Sequence, residues 1–239
     1  MFSFPTRDKK EWRYLREWQF NPGSLDVNLS SFPWIVPALK DRYCLQQKQQ
    51  QQQQQKMQPI RWRLPSEMFS DAQMQELCEA LALSSNSINS NCNGLCLTEI
   101  VGSKSISVNS VLCICQLLSQ ADNCITELHV YSCELSSTSV MYIAQALSSK
   151  HCSLTEMTLR GNKIGDEGVK HIAEALEKHN KSLLRLTFFD METTAISAGY
   201  MGKALKSNAS LIYLDMSLDD ESASALIEQG LLHNRTLTS

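Results

Sequence analysis

Residues Ser153–Asn180, SLTEMTLRGNKIGDEGVKHIAEALEKHN, decide the fold. Leu154, Met157 and Leu159 end in an alternating apolar pattern, the mark of a short strand with one buried face. Gly161-Asn162 and Gly165 then supply turn residues. Asp166-Glu167 put acidic side chains at a helix start, where they are expected to satisfy free N–H groups and the helix dipole. Val169, Ile172, Ala173 and Leu176 follow at i, i+3, i+4 and i+7, one buried helical stripe. A strand and a helix joined this way cannot bury both apolar faces alone. Copies stacked side by side can.

The copies are present. Shifted back by one period, Leu154, Met157, Leu159, Ile164, Val169, Ile172, Ala173, Ala175 and Leu176 fall on Ile125, Leu128, Val130, Leu135, Val140, Ile143, Ala144, Ala146 and Leu147. Shifted forward by the same step, they meet Leu186, Phe188, Met201, Gly202, Ala204 and Leu205, with Thr193 in place of Ile164. Leu97, Ile100, Val111, Ile114, Cys115 and Leu118 make another unit, and Asp220-Glu221 with His233-Asn234 mark one more. A first unit follows from placing Leu64 on Leu159, which sets Trp62 on Met157, Phe69 on Ile164, Asp71 on Asp166 and Leu77 on Ile172. Polar Ser84–Gly94 separates it from the next strand as an exposed insertion. The expectation is an α/β leucine-rich-repeat horseshoe of about five repeats of 28–29 residues, with a parallel sheet on the concave face and helices on the convex face. Unit bounds lie near 59–94, 95–123, 124–152, 153–181, 182–209 and 210–236. Arg235-Thr236-Leu237 is expected to open a further strand, which would leave the terminal core without a polar cap.

The run LTEMTLRGNKIGDEGVKHIAEAL resembles the ribonuclease-inhibitor-like leucine-rich repeats, most closely the C-terminal repeats of NOD-like receptors, and also those of Ran GTPase-activating proteins. The resemblance covers 95–237 well and 59–83 more loosely. It implies an Asn or Cys after each strand whose side chain bonds loop backbone inside the turn; Asn162 and Cys133 match, whereas Met191 and Ser105 depart from it. It further implies a cytoplasmic interaction or ligand-sensing module. The architecture is specific for fold and permissive for function.

Composition narrows the field. The 239 residues carry a net charge of −3, with nine Lys/Arg against five Asp/Glu in 1–58 and 13 against 20 in 59–239. The repeat region is therefore the acidic part, at −7, and implies neither nucleic acid nor an anionic membrane as partner. Charged Arg7–Glu11 stands where a signal peptide needs an apolar run, and Val111–Leu118 is far too short to span a bilayer, so no membrane insertion is expected. Several of the nine cysteines occupy apolar repeat positions, which suits free thiols in a reducing, cytoplasmic setting. Cys92-x3-Cys96 and Cys113-x-Cys115 lack a second pair at zinc-like spacing, and no metal or cofactor is expected. Four Asn-x-Ser/Thr sequons (Asn28, Asn180, Asn208, Asn234) read as turn chemistry, since three of them share one repeat loop. Upstream, residues 46–58 are a glutamine-rich linker, and 1–45 form a partly ordered segment in which Trp12, Leu15 and Trp18 recur near helical spacing.

Strand positions between the buried ones define the concave face. They give the trios Glu99, Val101, Ser103; Glu127, His129, Tyr131; Glu156, Thr158, Arg160; Arg185, Thr187, Phe189; and Tyr213, Asp215, Ser217. Exposed aromatics and arginines on a rigid sheet are typical contact anchors, so a protein partner is expected there, with Tyr131, Arg160, Arg185, Phe189 and Tyr213 at its centre. The same residues could instead serve as lateral sheet pairs, Glu156 with Arg185 and Arg160 over Tyr131 or Phe189. No catalytic residue is assigned: the five histidines sit apart, and Gly161-Asn162-x-x-Gly165 is a repeat turn, not a phosphate cradle. A GTPase-activating protein is the enzymatic alternative, with Arg160 its nearest candidate residue, and an inhibitory or actin-associated scaffold is a third reading. The sequence assigns no oligomeric state.

Overall fold

The computed structural model describes residues 25–26, 60–65, 70–85, 95–101, 106–121, 123, 125–189, 191–216 and 221–237. Seven strands form one parallel sheet in sequence order: β1 (Leu25–Asp26), β2 (Ile60–Pro65), β3 (Leu95–Val101), β4 (Glu127–Tyr131), β5 (Glu156–Arg160), β6 (Arg185–Phe189) and β7 (Tyr213–Met216). A helix follows each strand from β2 onward: α1 (Asp71–Ser85), α2 (Val108–Leu118), α3 (Ser137–Leu147), α4 (Gly165–Lys178), α5 (Ala195–Leu205) and α6 (Glu221–Leu237). The chain is thus a leucine-rich-repeat solenoid of six strand–helix pairs, with β1 added at the first edge. Helices need roughly 10 Å each where strands need about 4.8 Å, which bends the stack toward its sheet.

All nine apolar positions of 153–180, and all nine of their counterparts in the preceding unit, are buried in one continuous core. Leu64 stands level with Leu159, as the repeat alignment requires, through the register Leu64↔Ile100, Ile100↔Val130 and Val130↔Leu159. The strand expected at Arg235 is instead the end of α6, which runs on to Leu237. The sequence Arg-Thr-Leu does not break the helix by itself, and helix continuation wins over the repeat alignment there.

Three buried asparagines make the helix-to-strand crossings. Asn180 Nδ2 donates to the Leu147 carbonyl (2.9 Å) while its Oδ1 accepts from Leu183 N (2.9 Å). Asn208 repeats the pattern with the Leu176 carbonyl (3.0 Å) and Leu211 N (2.9 Å), each amide reaching the helix of the preceding repeat, whereas Asn123 bonds the helix of its own repeat, at the Leu118 carbonyl (2.8 Å), and Ile125 N (2.9 Å). Asn180, Asn208 and Asn234 are all buried, so these sequons are structural and inaccessible to a glycan. Asn28 lies outside the described residues, as do the Trp12–Trp18 segment, the glutamine tract and residues 86–94 of the insertion.

The helix starts differ from expectation. The helix α4 has no side-chain cap of its own, and Asp166 reaches the next repeat. Its carboxylate accepts from Thr194 N (2.9 Å), Thr194 Oγ1 (2.8 Å) and the Ser197 hydroxyl, at the start of α5. Asp71 does the same for α2, accepting from Ser107, Asn109 and Ser110. Meanwhile Ser107, Ser136 and Thr194 cap α2, α3 and α5 through their own hydroxyls. A carboxylate near a helix start is attractive to any N-terminal N–H within reach, and in a solenoid the neighbouring helix start is as near as its own.

Candidate functional site

The parallel ladders arrange the outward strand positions into three rows. The first is Glu127, Glu156, Arg185 and Tyr213; the middle is Glu99, His129, Thr158, Thr187 and Asp215; the third is Val101, Tyr131, Arg160 and Phe189. From β4 to β7 these rows agree with the sequence-derived trios. At β3 they do not: the repeat pattern sets Glu99 beside Glu127 and Val101 beside His129, yet Glu99 pairs with His129 and Val101 with Tyr131. The register of β2 with β3 also shifts between Trp62 and Arg63, so Trp62 pairs with Leu97 and not with the position level with Met157. A shift by one full pleat keeps the buried face buried, because side chains alternate with period two, so apolar pattern cannot detect it. The side chains of Glu99 and Val101, and all of Ser103, Ser105 and Ser217, lie outside the described residues.

Lateral contacts run along the first row and along the third, and His129 of the middle row touches both. Arg185 Nε lies 3.5 Å from Glu156 Oε2, and the Arg185 guanidinium sits 4.5 Å from the centre of the Tyr213 ring. Arg160 covers Phe189 at 4.9 Å. The rings of His129 and Tyr131 stack in parallel, 6.1 Å apart, and His129 Nε2 approaches Glu127 Oε2 at 3.8 Å. The expected Glu156–Arg185 and Arg160–Phe189 pairs are therefore present. The Arg185–Tyr213, His129–Tyr131 and His129–Glu127 contacts are additions to the sequence reading, although the last two join i, i+2 neighbours on one strand face and so are visible in the sequence.

The middle row is low from β4 to β6, while Asp215 on β7 is exposed. Thr158 is 8% exposed and Thr187 and His129 are partly buried, whereas Phe189 is 42% and Tyr213 36% exposed. Large side chains thus flank a shallow trough floored by threonines. The third row is held by its turns: Tyr131 is followed by Ser132 at φ +50° and Arg160 by Gly161 at φ +67°, both left-handed. Asn162, fully buried, bonds backbone inside the turn, accepting from Cys133 N (3.0 Å) and Leu135 N (3.2 Å) and donating to the Val130 (2.9 Å) and Arg160 (3.1 Å) carbonyls. Its counterparts Cys133 and Met191 are buried as well. Where Met191 stands, the following Glu192 takes the left-handed conformation at φ +54°.

Among the described residues no group of three His, Cys, Asp or Glu side chains could hold a metal ion, and no helix is long and apolar enough to cross a membrane. Cys78, Cys115, Cys133 and Cys152 are buried free thiols and Cys113 is half-buried. Burial pushes the Cys78 and Cys115 thiols up to about 12 and raises Cys113 and Cys152, so these sulfurs stay protonated at neutral pH. Cys92 lies outside the described residues, as does the side chain of Cys96.

No family model matches the sequence, and no curated protein matches it. Among solved structures, "Leiomodin-1 Actin-Binding Site 2 (ABS2)" superposes with a TM-score of 0.51 at 18% identity, over 59% of this chain and 82% of that one. A tropomodulin C-terminal domain from Caenorhabditis elegans gives a TM-score of 0.49 at 11% identity, over 85% and 95% of the two chains. The likeness to leiomodin-1 is one of fold, and it supports a leucine-rich-repeat type of solenoid without reaching a relationship to NOD-like receptors.

Proposed function

We propose that the chain is a non-catalytic protein-binding module that receives its partner on the concave sheet face. The observation that carries this is the exposure of Phe189 and Tyr213, each stacked under an arginine, along the walls of a trough on a rigid sheet. Glu127, His129, Tyr131, Glu156, Thr158, Arg160, Arg185, Thr187, Phe189, Tyr213 and Asp215 make up the proposed contact surface. The lateral pairs stabilise the sheet and preorganise the surface at once, so the two roles separate only by experiment. With Tyr131, Arg160 and Phe189 replaced together by Ala, partner recovery should fall while melting temperature changes little. A large loss of stability with unchanged recovery would leave these residues a sheet-stabilising role alone.

The finer reading is the sensing end of a NOD-like receptor in the cytoplasm, supported by the resemblance of 153–180 to that family's repeats and by the buried free thiols. Transcripts that join this region to a nucleotide-binding domain would bear it out; transcripts of the repeat region without one would remove it. An actin-associated scaffold is favoured by the fold shared with the actin-binding site of leiomodin-1, and co-sedimentation with filamentous actin decides it. Against a GTPase-activating role, the chain should leave GTP hydrolysis by small GTPases unchanged. Acceleration abolished by Arg160→Ala would replace the binding reading with an enzymatic one.

A further inference from the structure

Two arginines leave the same sheet surface in opposite circumstances. The Arg185 charge is met by Glu156 at 3.5 Å. Arg160 has no carboxylate at ion-pair distance among the described residues; its side chain lies against the Phe189 ring, 4.9 Å from its Cζ. A guanidinium stacked on an aromatic face keeps its plane fixed and its N–H edges outward, the geometry that takes a carboxylate with two parallel hydrogen bonds. The backbone beneath it is fixed on both sides: the Arg160 carbonyl accepts from Ser132 N (2.8 Å) and Asn162 Nδ2 (3.1 Å), and Gly161 N donates to the Phe189 carbonyl (2.9 Å). Little ordering cost is then left for binding.

We infer that Arg160 is the docking point for a side-chain carboxylate of an extended acidic segment in a protein partner, with an apolar residue of that segment seated on Phe189. The inference rests on the concave-face reading. Charge selects the occupant. The acids of this face, Glu99, Glu127, Glu156 and Asp215, belong to the first and middle rows, where Arg185 is already met by Glu156, and the third row of Val101, Tyr131, Arg160 and Phe189 carries none, so the place on this face for a partner carboxylate is Arg160. A basic segment would meet a bare guanidinium on the wall where Phe189 offers exposed ring area beside it. The threonine floor, Thr158 and Thr187, lies low enough to let an extended main chain approach the sheet.

The test uses the full chain and three labelled peptides with alternating Asp-Phe, Asn-Phe or phosphoserine-Phe sequence, read by fluorescence anisotropy. Asp-Phe should bind saturably and Asn-Phe about tenfold more weakly, a difference of about 1.4 kcal/mol. Arg160→Gln should abolish that preference, while Arg185→Gln should retain it; both positions are exposed, and melting temperatures confirm that the variants fold. No saturable binding of Asp-Phe overturns the inference. Equal binding of Asp-Phe and Asn-Phe, lost in Phe189→Ala, removes the carboxylate contact and leaves the face reading standing. Binding indifferent to both Arg160→Gln and Phe189→Ala removes both, and a strong preference for phosphoserine reassigns Arg160 to phosphate.

Discussion

At Asn162 one buried amide serves two neighbouring turns, taking two N–H groups of the preceding repeat and giving its own to two carbonyls. Asn162→Ala leaves those backbone groups unpaired in the interior, and should cost on the order of 2–4 kcal/mol by urea unfolding. Gly161 beside it is constrained twice. Its φ of +67° disfavours a side chain, and an added Cβ would stand 2.7 Å from Ser132 Oγ. Gly161→Ala should therefore destabilise by about 1–2 kcal/mol. The two causes can be parted: in a Ser132→Ala background the contact with the hydroxyl is gone, so the same substitution should cost measurably less there. Equal cost in both backgrounds would assign the whole effect to backbone conformation. Both residues are recognisable in the sequence as turn chemistry, but only the structure shows that Asn162 works mainly for the repeat before its own.

Between elements, the acidic residues at helix starts act as lateral staples. Asp166 is partly desolvated, which alone would raise its pKa, but the hydrogen bonds from Ser197 and Thr194 outweigh that and hold it below 3.8. Asp71 is lowered likewise by Ser107, Ser110 and Asn109. A carboxyl group with a depressed folded-state pKa contributes stability that is fully present above its ordinary value and lost as pH falls through the lower folded value. Asp166→Asn should thus reduce stability at pH 7, and the variant should lose less than the parent on acidification from pH 4 downward. Denaturant midpoints at pH 7, 4 and 3 check both signs; parallel curves would mean the staple is not carried by the charge. Sequence reading finds these acids and gives them the wrong helix. Self-capping and neighbour-capping place the same residue type at the same offset, so the pattern of one repeat cannot tell them apart.

For the molecule as a whole, the fold is legible because every repeat writes the same two periodicities. The candidate rows are legible from β4 to β7 because Glu127, Glu156, Arg185 and Tyr213 follow one another at nearly equal intervals along the chain and pair in that order. The rows fail at β3, where Glu99 stands further from its partner His129 than one repeat length, since loop length is invisible to apolar pattern. That Arg160 meets no acid among the described residues is equally hidden, because which arginine finds an acid depends on reach across strands and not on position in the repeat. Stability should follow the same linear logic: each helix packs on its sequence neighbours, so coupling runs only along the stack. Leu159 is fully buried in the middle of it, and Leu159→Ala should cost about 2–5 kcal/mol and weaken the interfaces on both sides. Hydrogen exchange should then quicken in β4, β5 and β6 together. Leu231, buried in α6, has a neighbouring repeat on one side among the described residues, and Leu231→Ala should speed exchange in α6 and β7 while β4 and β5 keep their protection. If the Leu231 variant loosens β4 as much as the Leu159 variant does, the solenoid unfolds as one unit, and a partner bound at Arg160 would then stabilise α6 as strongly as the strands it touches.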